Sequence, residues 1–144
     1  MKGPQLSITV EDEVTPVMKR KPYRVPILWQ AKVREWLEND VQMGIIEKVP
    51  VNTPTTWLSR MVVVPKHNGE PRRTVDFKDL NKASTRQTNH MRSLYRLAMD
   101  VPKYTKKSVL DIWNAYHSIT IREEDRDKTS STTEEGRCRY LTLF

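Results

Sequence analysis

Trp57 to Phe77 reads WLSRMVVVPKHNGEPRRTVDF. Trp57–Val64 is a run rich in β-branched side chains, and Arg72–Phe77 is a second. Between them, His67-Asn68-Gly69-Glu70 contains the Asn-Gly pair that tolerates the positive backbone angles of a tight turn. The stretch therefore predicts a β-hairpin with Lys66, His67, Arg72 and Arg73 around its tip. These cations admit two readings. An Arg offers bidentate contacts to a phosphate and a Lys a point charge, so together they suit a triphosphate; equally, they keep an exposed hairpin soluble.

Upstream, Trp29, Val33, Trp36, Leu37 and Val41 recur at helical spacing, and Gly44 is a fitting stop. This predicts a helix from Trp29, with both tryptophans as core residues because they share the stripe with aliphatics. Before it, Pro16, together with Pro22 and Pro26 inside the basic run KRKPYRVP, predicts an extended arm lying across a neighbouring surface. Downstream, a second helix is expected from about Asn89, with Leu94, Leu97, Ala98 and Val101 on one face and Pro102 ending it. A short strand at Ser108–Ile112, a turn or short helix through Tyr116 and a strand at Ser118–Ile121 complete a mixed α and β pattern. REEDRDK reads as a solvated connection. Arg137–Phe144, RCRYLTLF, reads as a strand ending with no turn or polar cap, which leaves a sheet edge unmanaged and suggests a fragment.

At 144 residues the chain is the size of one domain, long enough to bury roughly 70% of its unfolded surface. Its apolar fraction is 37% and its charged fraction 30%, against about 45–50% apolar in ordinary domains, so a small core and a highly charged surface are expected. The net charge of +7 and pI near 9.6 suit a polyanionic partner. No apolar run approaches the ~20 residues of a membrane span, and the start lacks a signal-peptide pattern, so an intracellular protein, cytoplasmic or nuclear, is expected. Cys138 is the only cysteine, which excludes an intrachain disulfide, and His67, His90 and His117 lack zinc-ligand spacing.

Val109–Tyr116, VLDIWNAY, carries the remaining candidates. Asp111 would close a buried strand, where an unpaired carboxylate is costly unless a cation neutralises it. A divalent metal would do so, as in two-metal nucleotidyl transfer, but a strand-end Asp also commonly caps a turn. Tyr116 either lies under a nucleotide sugar, excluding the 2′ hydroxyl that marks a ribonucleotide, or packs in the core.

In order and spacing these residues resemble the reverse transcriptases of gypsy-type long-terminal-repeat retrotransposons and, more loosely, the retroviral enzymes. The likeness begins at MKGPQL, continues through YRVP and DVQMGIIEKVPVNTPTTW, and is tightest over SRMVVVPKHNGEPRRTVDFKDLNKASTRQTNH and TKKSVLDIWNAYHSI. It implies an α+β, partial right-hand polymerase fold: an arm at 1–28, a fingers region with the start of the palm helix at 29–107, and a truncated first palm segment at 108–144. It also implies RNA-directed DNA polymerase chemistry with Mg²⁺, two ions in the complete enzyme. The implied partners are an RNA or DNA template with primer, deoxynucleotides, and the remaining palm, thumb and ribonuclease H of the same polyprotein, with no membrane. By resemblance Lys66 and Arg72 hold the triphosphate, Asp111 and the Ile112 carbonyl face the metal, Asn114 and Ala115 offer backbone groups to the phosphates, and Tyr116 rejects ribonucleotides. Asp76 and Phe77 lie near the template path within a mainly structural signature that includes Leu80 and Asn81.

The chain also departs from the pattern. No Tyr-x-Asp-Asp hairpin occurs, so the second and third catalytic carboxylates are missing and the isolated chain is expected to be inactive. Glu134-Glu135-Gly136, Cys138 and Met91–Tyr95 replace the aromatic and proline-containing positions of the family. A non-catalytic nucleic-acid-binding module, or a decayed remnant, is the alternative.

Overall fold

The computed structural model describes residues 3–86, 90–111 and 115–143. Its longest element, helix α1 (Ile27–Gln42), follows the apolar stripe, with Val33 and Leu37 buried and Trp29, Trp36 and Val41 partly so. The helix closes as the sequence suggests. Gly44 takes φ +67, donates to the Val41 carbonyl at 3.1 Å, and lets Ile45 N–H reach the Asp40 carbonyl at 2.9 Å. That pair of bonds satisfies two of the last-turn carbonyls, and the left-handed angle costs glycine little.

The chain reverses directly into β1 (Ile46–Lys48). The expected hairpin then forms as β2 (Ser59–Pro65) and β3 (Pro71–Asp76), antiparallel from Arg60 opposite Asp76 to Pro65 opposite Pro71. At its tip Lys66 N–H donates to the Glu70 carbonyl at 2.7 Å, and Gly69 has φ +77. Helix α2 (Lys78–Ala83) buries Leu80 and Ala83, and α3 (Leu94–Met99) follows. A single 3₁₀ turn occupies Ala115–Ser118, then come α4 (Glu123–Arg126), β4 (Ser131–Thr133) and β5 (Gly136–Tyr140).

Among the described residues five strands make one sheet in the order β1-β5-β4-β2-β3. Strand β4 pairs with β2 in parallel and with β5 in a hairpin, and β5 pairs with β1 from Cys138 opposite Lys48 to Tyr140 opposite Ile46. Both edges are blunted: β1 has three residues, and β3 begins with a proline and carries Arg72 and Arg73. Val33 and Leu37 of α1 join Ile46, Met61, Phe77, Leu80, Ile121, Cys138 and Tyr140 in one core. Burying each large aliphatic side chain there is worth roughly 1.5–3 kcal/mol.

The arm crosses its own domain. Leu6 bridges Ile121, Val10 bridges Ser84 and Met18 bridges Leu58. At Ile8, side chains replace a strand partner: Asp125 accepts its N–H at 2.9 Å, and the Lys128 ammonium donates to its carbonyl at 2.7 Å.

Several local expectations are overturned. Residues 105–111 form no strand, and Val109 and Leu110 are 96% and 88% exposed. A strand requires a neighbour, and no strand of the sheet pairs with this segment. The second helix is confined to Leu94–Met99 and buries no residue; Asn89, its expected start, lies outside the described residues. The expected strand at Ser118–Ile121 is replaced by the end of the 3₁₀ turn and single bridges at Thr120 and Ile121. REEDRDK is not a solvated link, since it forms α4 and buries Asp125 at 3% exposure.

Candidate nucleotide-binding site

The antiparallel pairing of β2 and β3 brings Lys66 and Arg72 to one end of the hairpin, both exposed. Arg73, next along the strand, does different work. Its guanidinium pairs with Asp40 of α1, with side chains only 16% and 15% exposed. This ion pair fixes the middle of the hairpin on the helix. Of the Lys and Arg side chains around the tip, Arg73 is therefore committed to structure, while Arg72 and Lys66, the latter only loosely paired with Glu70 at 3.9 Å, remain exposed to a ligand.

Arg72, Arg73, Thr74 and Val75 of β3 line one side of a cavity of about 420 Å³, and Tyr116, His117 and Tyr140 line the other. Tyr116 is 64% exposed, so it is not a core aromatic. The 3₁₀ turn that carries it is tied down on its other flank, where His117 Nδ1 lies 3.1 Å from the Leu143 carbonyl and Leu143 N–H donates to the Ile119 carbonyl at 2.8 Å. Ala115, half-buried, precedes Tyr116 in the same turn. The fold thus unites a cation of the hairpin with an exposed aromatic from a distant segment.

Of the other expected site residues that the structure describes, Lys66, Asp76, Phe77, Asp111 and Ala115 do not line this cavity. Asp111 is exposed in an irregular segment, and Ile112 and Asn114 lie outside the described residues. Asp76 is half-buried, and its carboxylate accepts Lys78 N–H at 3.3 Å. Phe77 is 5% exposed and meets Tyr140 edge-on, with ring centroids 6.1 Å apart, so it is a core residue. Among the described residues no group of three His, Cys, Asp or Glu side chains is placed to hold a metal ion. With one exposed carboxylate at Asp111, the described residues do not by themselves fit a divalent-metal centre.

Burial pushes the Cys138 thiol up from its ordinary pKa despite the nearby Arg73 and Lys48, so it is no ready thiolate. Burial likewise raises the Tyr140 phenol, against the opposing pull of Arg73. Sequence reasoning missed Asp40, His117 and Tyr140 as residues that shape the site. Asp40 left one readable trace, since it follows Trp36 by one helical turn and borders the apolar stripe.

No protein-family model matches the chain. Among solved structures, the foamy viral protease-reverse transcriptase in complex with RNA/DNA hybrid aligns with a TM-score of 0.79 at 17% identity, over 99% of this chain and 18% of that one. The same enzyme in complex with dsDNA aligns with a TM-score of 0.76 at 17% identity, over 99% of this chain and 29% of that one. The fold is therefore part of the reverse transcriptase polymerase fold. Curated relatives include the retrovirus-related Pol polyprotein from transposon opus of Drosophila melanogaster, 29% identical over 85% of this chain and 12% of its own length. That from transposon gypsy of the same species is 27% identical over 77% of this chain and 11% of its own length. The transposon Tf2-3 polyprotein of Schizosaccharomyces pombe is 25% identical over 97% and 10%. The chain is a homologue of retrotransposon Pol polyproteins, and it spans about a tenth of the length of the curated relatives it matches. Among the described residues no helix is long and apolar enough to cross a membrane.

Proposed function

We propose that the chain supplies the fingers (29–107), preceded by the arm (1–28), and the first palm segment (108–144) of an RNA-directed DNA polymerase. The observation that carries this reading is the cavity shared by Arg72 and Tyr116. A deoxynucleoside triphosphate matches it chemically: Arg72 faces the triphosphate, Lys66 reaches it from the adjoining hairpin-tip cavity that it shares with Arg72, and Tyr116 lies against the sugar, where a 2′ hydroxyl would collide with the ring. Ala115 and Asn114 would offer backbone groups to the phosphates. Asp111, with the Ile112 carbonyl, would contribute one carboxylate toward Mg²⁺, and Asp76 would stand on the template side, with Phe77 supporting it from the core. The structural neighbours' complexes with RNA/DNA hybrid and dsDNA support a primed RNA or DNA template as the partner, and the net charge of +7 accords with that. The exposed apolar side chains from Met91 to Val101 and at Val109 and Leu110 suit burial against further palm, thumb or ribonuclease H segments of a polyprotein.

Three measurements on the 144-residue chain test this reading. Binding of a deoxynucleoside triphosphate should weaken in both Arg72→Ala and Lys66→Ala, and it should be lost in the double variant. Binding unaffected by either substitution would refute the assignment. The chain alone should bind Mg²⁺ weakly or not at all and should not extend a primer, because a single carboxylate does not position two ions. A second reading, a binding module without catalysis, is favoured by the lack of a three-ligand metal group among the described residues. It predicts salt-sensitive duplex binding that Tyr116→Ala leaves unchanged.

A further inference from the structure

Lys32, Trp36 and Asp40 are spaced at i, i+4 and i+8 and share one face of α1. That face meets the hairpin at three levels. Asp40 pairs with Arg73 midway along the strands. Above it, Trp36 lines a cavity of about 220 Å³ with Asp40, Lys66, Pro71, Arg72 and Arg73. At the tip, Lys32 Nζ lies 3.6 Å from Glu70 Oε1 and 5.5 Å from the Trp36 ring centroid. The other oxygen of the same carboxylate, Oε2, lies 3.9 Å from Lys66 Nζ.

The two levels of ion pairing differ in kind. The Arg73–Asp40 pair is hydrogen-bonded and largely out of solvent. Glu70 stands between two ammonium groups at distances too long for hydrogen bonds, and its side chain is 52% exposed. Its attractions are thus weak and readily traded. The backbone that positions Glu70 does not depend on its carboxylate, since the turn is closed by Lys66 N–H to the Glu70 carbonyl and by Glu70 N–H to Asn68 Oδ1 at 3.1 Å.

We propose that Glu70 is an exchangeable counter-ion for the anion site at the hairpin tip. Without ligand its carboxylate is shared between Lys66 and Lys32. When a polyphosphate takes Lys66, Glu70 passes to Lys32, so the tip stays docked on α1 while its cation is released to the ligand. Glu70 therefore holds down the affinity for weakly charged anions and favours those with enough charge to displace it. This inference rests on the assignment of Lys66 and Arg72 to a triphosphate and adds a regulating residue to that site.

The test is the affinity of the 144-residue chain for inorganic tripolyphosphate, measured by isothermal titration calorimetry at low ionic strength. Glu70→Gln should tighten binding about two- to fivefold, the scale of one exposed ion pair, and the gain should fade in high salt. Lys32→Ala should weaken binding in the native chain, because Glu70 is then left to Lys66 alone, and it should weaken it less when residue 70 is already Gln. If Glu70→Gln binds no more tightly than the native chain while Lys66→Ala still weakens binding, the counter-ion role is overturned and the anion site stands. If neither Lys66→Ala nor Arg72→Ala alters the affinity, the anion site itself fails and the role of Glu70 falls with it.

Discussion

Asp40→Ala tests how the hairpin is held. In the native fold the Arg73 guanidinium meets Asp40 where both side chains are about 15% exposed, and it also lies close enough to Cys138 and Tyr140 to affect their titration. Removing the carboxylate leaves a cation in a largely dry setting with no opposite charge. Breaking a fully buried pair costs about 3–5 kcal/mol, and the residual solvent access here reduces that to roughly 2–3 kcal/mol. For a domain of this size the loss corresponds to a fall in Tm of about 5–12 °C. The assay is urea unfolding followed by tryptophan fluorescence, with Trp36 one turn from the substituted residue. Arg73→Met in the Asp40→Ala background removes the stranded cation, and it should recover at least half of the loss. A loss below about 0.5 kcal/mol in Asp40→Ala, or a double variant no more stable than the single one, would refute the account of the pair as the hairpin's anchor.

Other consequences are open to the same assay. Burial alone would raise the Asp125 pKa, but the Lys128 ammonium and the Ile8 N–H outweigh it and hold the carboxyl below its ordinary value. The carboxylate then stabilises the fold above the unfolded-state pKa of ~4, and the contribution is lost as pH falls through the lower folded value. The stability difference between the native chain and Asp125→Asn should therefore shrink as pH drops from 6 toward 3; a difference independent of pH would count against the clamp on Ile8. Gly44→Ala, at φ +67, should cost about 1 kcal/mol in urea unfolding, with no space constraint involved. Leu37→Ala, buried at 5% exposure against the sheet, should cost about 2–5 kcal/mol, and a cost under 1 would place α1 outside the core.

What the sequence determined by itself was local. The α1 stripe and its glycine stop need only a 3.6-residue period and one left-handed residue, and the β2–β3 hairpin needs only two β-branched runs around Asn-Gly. The order and spacing of the VDF and VLDIWNAY segments were enough to point to the polymerase relatives. The tertiary structure decided what depends on partners far along the chain. Strand β1 and strand β4 have three residues each, too few for a periodic signal, and they exist because β5 and β2 supply their hydrogen bonds. Asp125 looked solvated in a charged run until Ile8 of the arm folded onto it. Val109 and Leu110 looked like a buried strand, yet they are exposed because no neighbouring strand meets them. In the site, Arg72 and Tyr116 were candidates for separate reasons, and only the packing of the 3₁₀ turn beside β3 put them on one cavity. Arg73 and Arg72 were indistinguishable as letters; Asp40 told them apart, because an ion pair between a helix and a strand is set by where the two elements meet.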